Sequence, residues 1–326
     1  MPEFPAAGAV RLLLGLRLTR GAINLATTIT IAIPTHNRAA TLSATLGSVA
    51  ALAIPPGAEL DCIVVDNGST DATPAAVEVC AKSARFAVRR VFETRLGSSF
   101  ARNRAIAESK SEFIFFIDDD ALAETSWALE MLSALTAREL DGACGMVLPR
   151  WTCAPPPWLG RSLWVKLAVH DRERIEVEPA ERAENLANYF SANVGLRRDA
   201  LTRFGNFRED LGNVGGNPMS GEDTELFARI IAGGGRMGFA PRAIVNHLIP
   251  AERMTRAYLR RKSFAYGVGS AFAGGRHHNH AGKLIRNAAR LAAAAVRGDS
   301  ERAIYHELEC ANFFGYWRGR MLVRKK

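Results

Sequence analysis

The sequence predicts an α/β fold, a mostly parallel sheet flanked by helices, and three observations carry that prediction. Between Thr28 and Ile117, short β-branched or aromatic runs alternate with Ala- and Leu-rich helical segments, a rhythm that implies parallel strands joined by right-handed crossovers. Polar residues recur just after each run, at the carboxyl ends where open α/β sheets receive ligands. The last run, Phe113-Ile114-Phe115-Phe116-Ile117, stops at three consecutive aspartates, Asp118, Asp119 and Asp120.

Taken in order, Thr28–Ile33 is a first strand ending at Pro34-Thr35-His36-Asn37-Arg38, and Ala39–Ala53 is a helix that Pro55-Pro56-Gly57 breaks. Leu60–Val65 is a second strand, ending in Asp66-Asn67-Gly68-Ser69-Thr70-Asp71 before a helix that opens at Thr73. Phe86–Phe92 is a third strand, and Gly97-Ser98-Ser99 leads into a helix over Ala101–Ser109 with Arg102, Asn103 and Arg104 on it. Phe113–Ile117, short, apolar and bounded by charge, has the pattern of a buried strand. After about residue 145 the rhythm changes. Trp151–Trp164 holds Pro155-Pro156-Pro157 and Trp158, and reads as a long ordered loop. Phe190–Leu196 and Phe239–His247 are strand-like, Gly212–Gly221 is glycine-rich, and Glu222–Ile231 is a helix opening with acids, as its dipole prefers. From Ala251 the chain turns basic and helical, with Arg253, Arg256, Arg260, Arg261 and Lys262 close together and Arg286 and Arg290 on a helix over Lys283–Val296. Phe313-Phe314-Gly315-Tyr316-Trp317-Arg318 and Arg324-Lys325-Lys326 end it.

At 326 residues the chain holds one large domain or two small ones. A formal charge of +9 and a pI near 9.7 favour anionic partners: nucleotides, acidic headgroups or nucleic acid. The cysteines, Cys62, Cys80, Cys144, Cys153 and Cys310, are scattered with no Cys-x-x-Cys pair, which argues for a reducing compartment and against a zinc site. No stretch reaches the roughly 18 to 20 apolar residues of a membrane span. Ala6–Leu18 contains Leu12-Leu13-Leu14 but is interrupted by Arg11 and Arg17, so residues 1–27 read as a poorly ordered or interfacial extension rather than a signal peptide.

The tripled acid points to chemistry. If the chain stays extended past Ile117, Asp118 and Asp120 share one face. Two carboxylates there do not both stay ionised and unpaired at low cost. A hard cation, Mn²⁺ or Mg²⁺, resolves that, and such a cation usually serves a phosphate-bearing substrate. Asp119-Asp120 fits a metal-binding pair as well as Asp118-x-Asp120 does, and helix capping at Ala121 explains one acid but not three.

The ordered set Ile33-Pro34-Thr35-His36-Asn37-Arg38, Val64-Val65-Asp66-Asn67-Gly68-Ser69-Thr70-Asp71, Ala101-Arg102-Asn103-Arg104, Asp118-Asp119-Asp120 and Gly221-Glu222-Asp223-Thr224-Glu225-Leu226 resembles family-2 inverting glycosyltransferases of the GT-A fold, over roughly residues 28 to 265. The resemblance implies a Rossmann-like sheet with a nucleotide-sugar-binding part at 28–145, an acceptor-binding and catalytic part at 146–250 and a basic helical region at 251–326. It implies a glycosyltransferase of hexosyltransferase type that uses a nucleoside diphosphate sugar, a divalent cation and a glycan or lipid-linked acceptor. Asp66 would read the uracil edge, with Pro34, Thr35, Asn37 and Arg38 nearby; a carboxylate can accept the imide N–H, although Asp-Asn-Gly-Ser is also good Asx-turn chemistry. Arg102 or Asn103 would approach the donor from a helix N-terminus, the alternative for Arg102 being a surface pair with Glu108 or Glu112. Asp120 would bind the metal, and Asp118 would reach the ribose or a metal-bound water. Asp223, beside Glu222, would be the general base, a role compatible with helix capping. His247 and Arg253 would lie near the metal or diphosphate.

Other features have two readings. Trp151, Trp158 and Trp164 either stack on sugar faces or form a packed cluster. His277-His278-x-His280 lacks acids or cysteines beside it and reads as solvated. Gly267-x-Gly269 follows a basic helix rather than a strand, so it is no dinucleotide fingerprint. The basic C-terminal helices with their aromatics fit a peripheral contact with anionic lipid at the cytoplasmic face of a membrane, or a solvated face or oligomer contact. The competing enzyme reading, a sugar nucleotidyltransferase, needs a Gly-rich N-terminal loop that Pro34–Arg38 lacks. A non-catalytic glycan-binding scaffold would not need Asp118, Asp120 and Asp223, and no nucleic-acid motif accompanies the positive charge.

Overall fold

A computed structural model describes residues 26–170, 189–212, 220–274 and 280–324. The extension before residue 26, most of the glycine-rich stretch, and His277 and His278 lie outside the described residues. Strands β1 (Thr27–Thr35), β2 (Ala58–Asp66), β3 (Ala87–Phe92) and β4 (Phe113–Ile117) alternate with helices α1 (Ala39–Ala50), α2 (Thr73–Ser83) and α3 (Ser98–Glu108). Then come β5 (Ala121–Ala123), α4 (Trp127–Ala137), β6 (Gly142–Trp151), β7 (Asn193–Arg197), α5 (Arg198–Phe204), α6 (Glu222–Ala232) and β8 (Met237–Ile249), with helices α7 (Arg256–Phe272), α8 (His280–Val296) and α9 (Ser300–Val323) at the end.

The strands form one sheet in the order β3-β2-β1-β4-β7-β6-β8-β5. β1 pairs in parallel with β2 and β4, β2 with β3, and β6 with β8, while β7 and β5 join antiparallel. The sheet is therefore mostly parallel, as the alternation predicts. β4 lies between β1 and β7 with all its residues buried, which is why it is apolar throughout rather than alternating. One core packs α1, α2 and α4 against one face of the sheet, around Leu42, Leu46, Val64, Phe115 and Trp127; a second fills the other face around Ala101, Ile106, Phe116, Leu226 and Phe227.

Several expectations need correction. Residues 121–123 are a short strand, not a helix start. The expected loop over 151–164 begins with the last residue of β6 and ends in a 3₁₀ helix, Arg161–Leu167. Gly142, Gly145 and Pro149 hide β6 from a propensity reading. Proline is tolerated there because β7 pairs only as far as Cys144, which leaves that side of β6 an edge. β8 runs from Met237 to Ile249, so the strand expected to end at His247 continues two residues past it. Trp151 and Trp164 meet edge to face with centroids 5.6 Å apart, and both pack with Trp158 against the first core.

α7 and α9 approach almost backbone to backbone. A Cβ at Gly267 would overlap the carbonyl oxygen of Asn312, and one at Gly315 would overlap that of Phe264. Gly269 likewise lies against the backbone of Ser220. The paired glycines of α7 are thus contact points, docking it on α9 and on the residues that precede α6.

Candidate active site

The loops at the carboxyl ends of β1, β2 and β3 are tied together by side chains. Asn37, in the left-handed region at φ 52°, accepts from Thr70 N at 2.7 Å, and its own N–H donates to Ser69 Oγ. Asp71 caps α1 from the neighbouring loop, accepting from Ala39 N at 2.8 Å. Asn67 donates to Glu93 O and Arg95 O and accepts from Gly97 N. Asp66 is fully buried and accepts from Ser69 N and from Arg90, each at 2.8 Å. The Asx turn therefore forms here. Pro34 sits opposite Val65 in the β1–β2 pairing, at the root of this cluster.

The three aspartates leave the strand and diverge. Ala121 N–H donates to Asp118 O, so residues 118–120 turn instead of staying extended, and Asp118 and Asp120 do not share a face. Asp118 accepts from Arg102 at 3.2 Å. Asp119 accepts from Thr35 Oγ1 at 2.7 Å and from Arg38 at 3.0 Å. Asp120 accepts from Arg38 at 2.8 Å and from Arg253 at 2.7 Å. Burial pushes Asp119 up to about 6, with Arg38 opposing and Asp120 adding to it. Burial acts on Asp120 too, but His247, Arg253 and Arg38 overcome it and hold that carboxyl below its usual range.

His247 is buried, with Nε2 3.2 Å from Asp120 Oδ1 and 3.0 Å from Arg253 Nη1, while its Nδ1 meets no partner. Either tautomer leaves one of these contacts wrong. Among the described residues no three His, Cys, Asp or Glu side chains converge on a metal position. Two ligands are nonetheless the number Mg²⁺-type sites take from protein when substrate phosphates complete the shell. The Asp120–His247 separation suits neighbouring ligands at metal–ligand bonds of about 2.1 Å. The donor set fits a divalent cation once Arg253 gives up its place.

Arg102 is buried in the second turn of α3, 5.6 Å from the Phe207 ring centroid. It joins the sheet's acids to α6: one nitrogen donates to Asp118 and the other to Glu222 Oε1 at 2.8 Å. The alternative pairing with Glu108 or Glu112 does not occur; Arg89 and Arg104 take Glu108, and Arg197 takes Glu112. Asn103 turns away to clip the backbone of Phe207, donating to its O and accepting from its N. Glu222 also accepts from Ser98 Oγ at 2.9 Å. Asp223 accepts from Ser191 N and Oγ, each at 3.2 Å, and burial, then the nearby Glu222, raises its proton affinity above that of an ordinary aspartate.

Asp118, Arg102, Glu222 and Asp223 line one cavity of about 470 Å³. Its far wall is not what the sequence implied. Lys262, Ser263 and Tyr266 of α7, Lys283 of α8 and Tyr305 and Glu309 of α9 close it. No composition signal places those helices over the site; the nearest hint is the glycine pair of α7. Asn193 was also missed. Buried in β7, it donates to Met146 O and Ala243 O and accepts from Trp127 Nε1, bridging β6 and β8 where their register shifts.

The site joins an acid cluster at the end of the central strand β4 to carboxylates on α6, and comparison with known proteins gives its class. The chain belongs to glycosyl transferase family 2, whose model matches residues 30–204, and it is a glycosyltransferase. The succinoglycan biosynthesis protein ExoM of Rhizobium meliloti is 28% identical over 227 residues, 69% of each chain. Relatives named as transferases, such as a pre-mycofactocin glycosyltransferase of Mycobacterium tuberculosis and the O-antigen chain rhamnosyltransferase WbaN of Salmonella anatum, are covered over 39% and 55% of their own lengths. Among solved structures, a Pyrobaculum calidifontis mannosyltransferase in complex with GDP-Man and Mn²⁺ superposes with a TM-score of 0.59 at 20% identity, covering 91% of this chain and 87% of that one. Staphylococcus aureus TarS residues 1–349 in complex with UDP-GlcNAc give 0.53 at 16% identity, with 92% of each chain covered. These likenesses establish the GT-A fold.

Proposed function

We propose that this chain is an inverting transferase that moves a sugar from UDP to a hydroxyl of a glycan or lipid-linked glycan, with Asp223 as general base. The observation that carries the reading is Arg102, whose guanidinium joins Asp118 at the end of β4 to Glu222, the neighbour of a carboxylate with raised proton affinity. Donor-side and base-side groups thus meet in one cavity. The acceptor oxygen attacks the anomeric carbon, the bond to the diphosphate breaks on the opposite face, and the hydroxyl proton passes to Asp223. Ser191 orients that carboxylate. Glu222, spent on Arg102 and Ser98, positions Arg102 and keeps Asp223 basic.

On the donor side, Pro34, Thr35, Asn37 and Arg38 frame the nucleotide beside Asp119, and Asn103 holds the Phe207 loop that packs on Arg102. Asp66 reaches the base edge only when Arg90, whose side chain is 40% exposed, swings aside. Asp120 and His247 would hold Mn²⁺ or Mg²⁺, with Asp118 reaching the ribose or a metal-bound water, and the cation would supply positive charge against the diphosphate as it leaves. The solved neighbours hold either a guanosine or a uridine nucleotide, so the preference for UDP rests on Asp66. The helical end of the chain supports a peripheral contact with anionic lipid at the cytoplasmic face of a membrane: Phe314, Trp317 and Met321 are exposed on α9 beside Arg318, Arg320 and Arg324. Among the described residues no helix is long and apolar enough to cross a bilayer.

Calorimetric titration of a nucleotide panel, with and without Mn²⁺, on the wild type and Asp120→Ala tests this reading. Metal-dependent UDP binding that the variant loses is expected. Tight binding of a nucleoside triphosphate instead would favour nucleotidyl transfer, and binding of no nucleotide would sink both.

A further inference from the structure

The cavity is electrically polarised. Among the described residues, the part of its lining that comes from the end of β4, α3 and α6 carries three carboxylates, Asp118, Glu222 and Asp223, against the one guanidinium of Arg102. Its helical end carries three ammonium groups, Lys166, Lys262 and Lys283, against the single carboxylate of Glu309. Lys166 and Lys283 share Glu309 at 2.9 and 3.3 Å, and the two lysines hold it below the usual carboxylate range despite its burial. Lys262 makes no ion pair among the described residues and is solvent-exposed.

One buried group points to a missing ligand. Ser263 is 2% exposed, lines the cavity, and its Oγ has no hydrogen-bond partner among the described residues. A buried hydroxyl without a partner is destabilising unless something completes it. Lys262, Ser263 and Tyr266 of α7 all line the cavity, and Tyr266, at i+4 from Lys262 and i+3 from Ser263, is the surface neighbour of both. α7 cannot drift from there, because Gly269 is seated on Ser220 and Gly267 on Asn312.

We propose that the acceptor carries an anionic group, a phosphate or a carboxylate, and that Lys262, Ser263 and Lys283 receive it at the helical end of the cavity while its hydroxyl meets Asp223 at the other. This rests on the reading of Asp223 as the base. A dipolar acceptor is thereby held in one orientation: reversed, its anion would face three carboxylates. Glu309 keeps the lysines in position and is the group the anion competes with.

The test uses the full chain with UDP and Mn²⁺ filling the donor site, and three probes: glucose 1-phosphate, glucuronate and methyl glucoside. Calorimetry should show at least one anionic sugar binding roughly tenfold or more tightly than the neutral one; which one does so separates phosphate from carboxylate. Lys262→Ala and Lys283→Ala should each erase most of that preference, Lys262→Arg should keep it, and Glu309→Gln should raise anionic affinity several-fold by removing the competitor. A purely structural cluster would move in the opposite direction for Glu309→Gln. Equal or undetectable affinity for all three sugars, or a preference that survives both alanine variants, overturns the proposal. UDP titration separates the two levels: a chain that binds no UDP fails the transferase reading, whereas one that binds UDP and treats the three sugars alike fails only this subsite.

Discussion

The two acidic regions of the site are opposites. At the end of β4, Asp119 and Asp120 are crowded by cations, Arg38 bridging both and Arg253 adding a second contact to Asp120. Asp223 makes no ion pair among the described residues; Ser191 and Thr224 N–H groups are its donors, and burial with Glu222 keeps its proton affinity high although the nearby Arg102 opposes the rise. Asp120, held by two arginines and His247, is a poor base but a good place to exchange one cation for another. A carboxylate left to hydrogen-bond donors keeps its basicity. On the proposed mechanism these are the metal–diphosphate end and the proton-accepting end, and the difference can be attacked from both.

The largest effect should come from Asp223→Asn. Loss of the base is expected to lower kcat about 10²–10⁴-fold, read as UDP release in the presence of acceptor, while UDP affinity persists. Equal losses in kcat and UDP affinity would erase the distinction between the two ends. The same contrast sets a pH profile. With the proton affinity of Asp223 raised, kcat/KM should climb with pH along an acid limb lying above the ordinary aspartate value of about 3.9. Ser191→Ala, which removes the hydroxyl donor to the carboxylate, should move that limb further up.

Next is the bridge. Arg102→Met leaves Glu222 buried with its main charge partner gone. Breaking a buried pair in this way costs about 3–5 kcal/mol, so the unfolding midpoint should fall by several degrees in thermal or denaturant melts. Glu222→Gln, which keeps a hydrogen-bond acceptor for Arg102, should lose less. If the two variants melt alike, Arg102 matters for its contact with Phe207 rather than for joining the two ends.

Gly267→Val perturbs the wall alone. A side chain there must push α7 off Asn312, and overpacking of this kind costs about 1–3 kcal/mol. Binding of an acceptor-side ligand should weaken while UDP binding holds, because α7 lines the cavity whereas Asp66 and Asp119 are not among its lining residues.

These variants also mark how much was legible beforehand. β4 could be read to the residue because it is buried on both faces, so every position must be apolar. β6 could not, since glycine and proline conceal it and the pairing with β8 that makes it a strand is nearly a hundred residues away in sequence. The aspartates could be found as residues but not as geometry: alternation holds only while a chain is extended, and the turn at 118–120 sends each acid to a different partner. Likewise Arg102 stood out, but its bond to Glu222 spans 120 residues and carries no local signal. The helical wall was the least visible part, because a basic amphipathic helix looks the same from its sequence whether it faces lipid, water or a cleft.

The smallest predicted effect tests the cation-rich end through stability. Asp119 has its folded pKa raised to about 6, chiefly by burial, against roughly 3.9 in an unfolded chain. A raised carboxylate pKa means that the native state binds the proton more tightly, so its stabilising share is present in full below about pH 4 and is lost as pH rises through 6. At pH 8 the native protein therefore carries a buried charge it would rather not have, and Asp119→Asn, which keeps an acceptor for Thr35 and Arg38, should melt higher than the wild type. The gain should shrink on acidification and vanish near pH 4.5, where the wild type is already neutral at this position. Asp120 is displaced in the opposite direction, and its contribution is lost only as pH falls below the ordinary aspartate range, so the two windows do not overlap. A melting gain for Asp119→Asn that is flat from pH 4.5 to 8 would mean that shape, not charge, separates the two residues, and the contrast between the two ends would then rest on Asp223 alone.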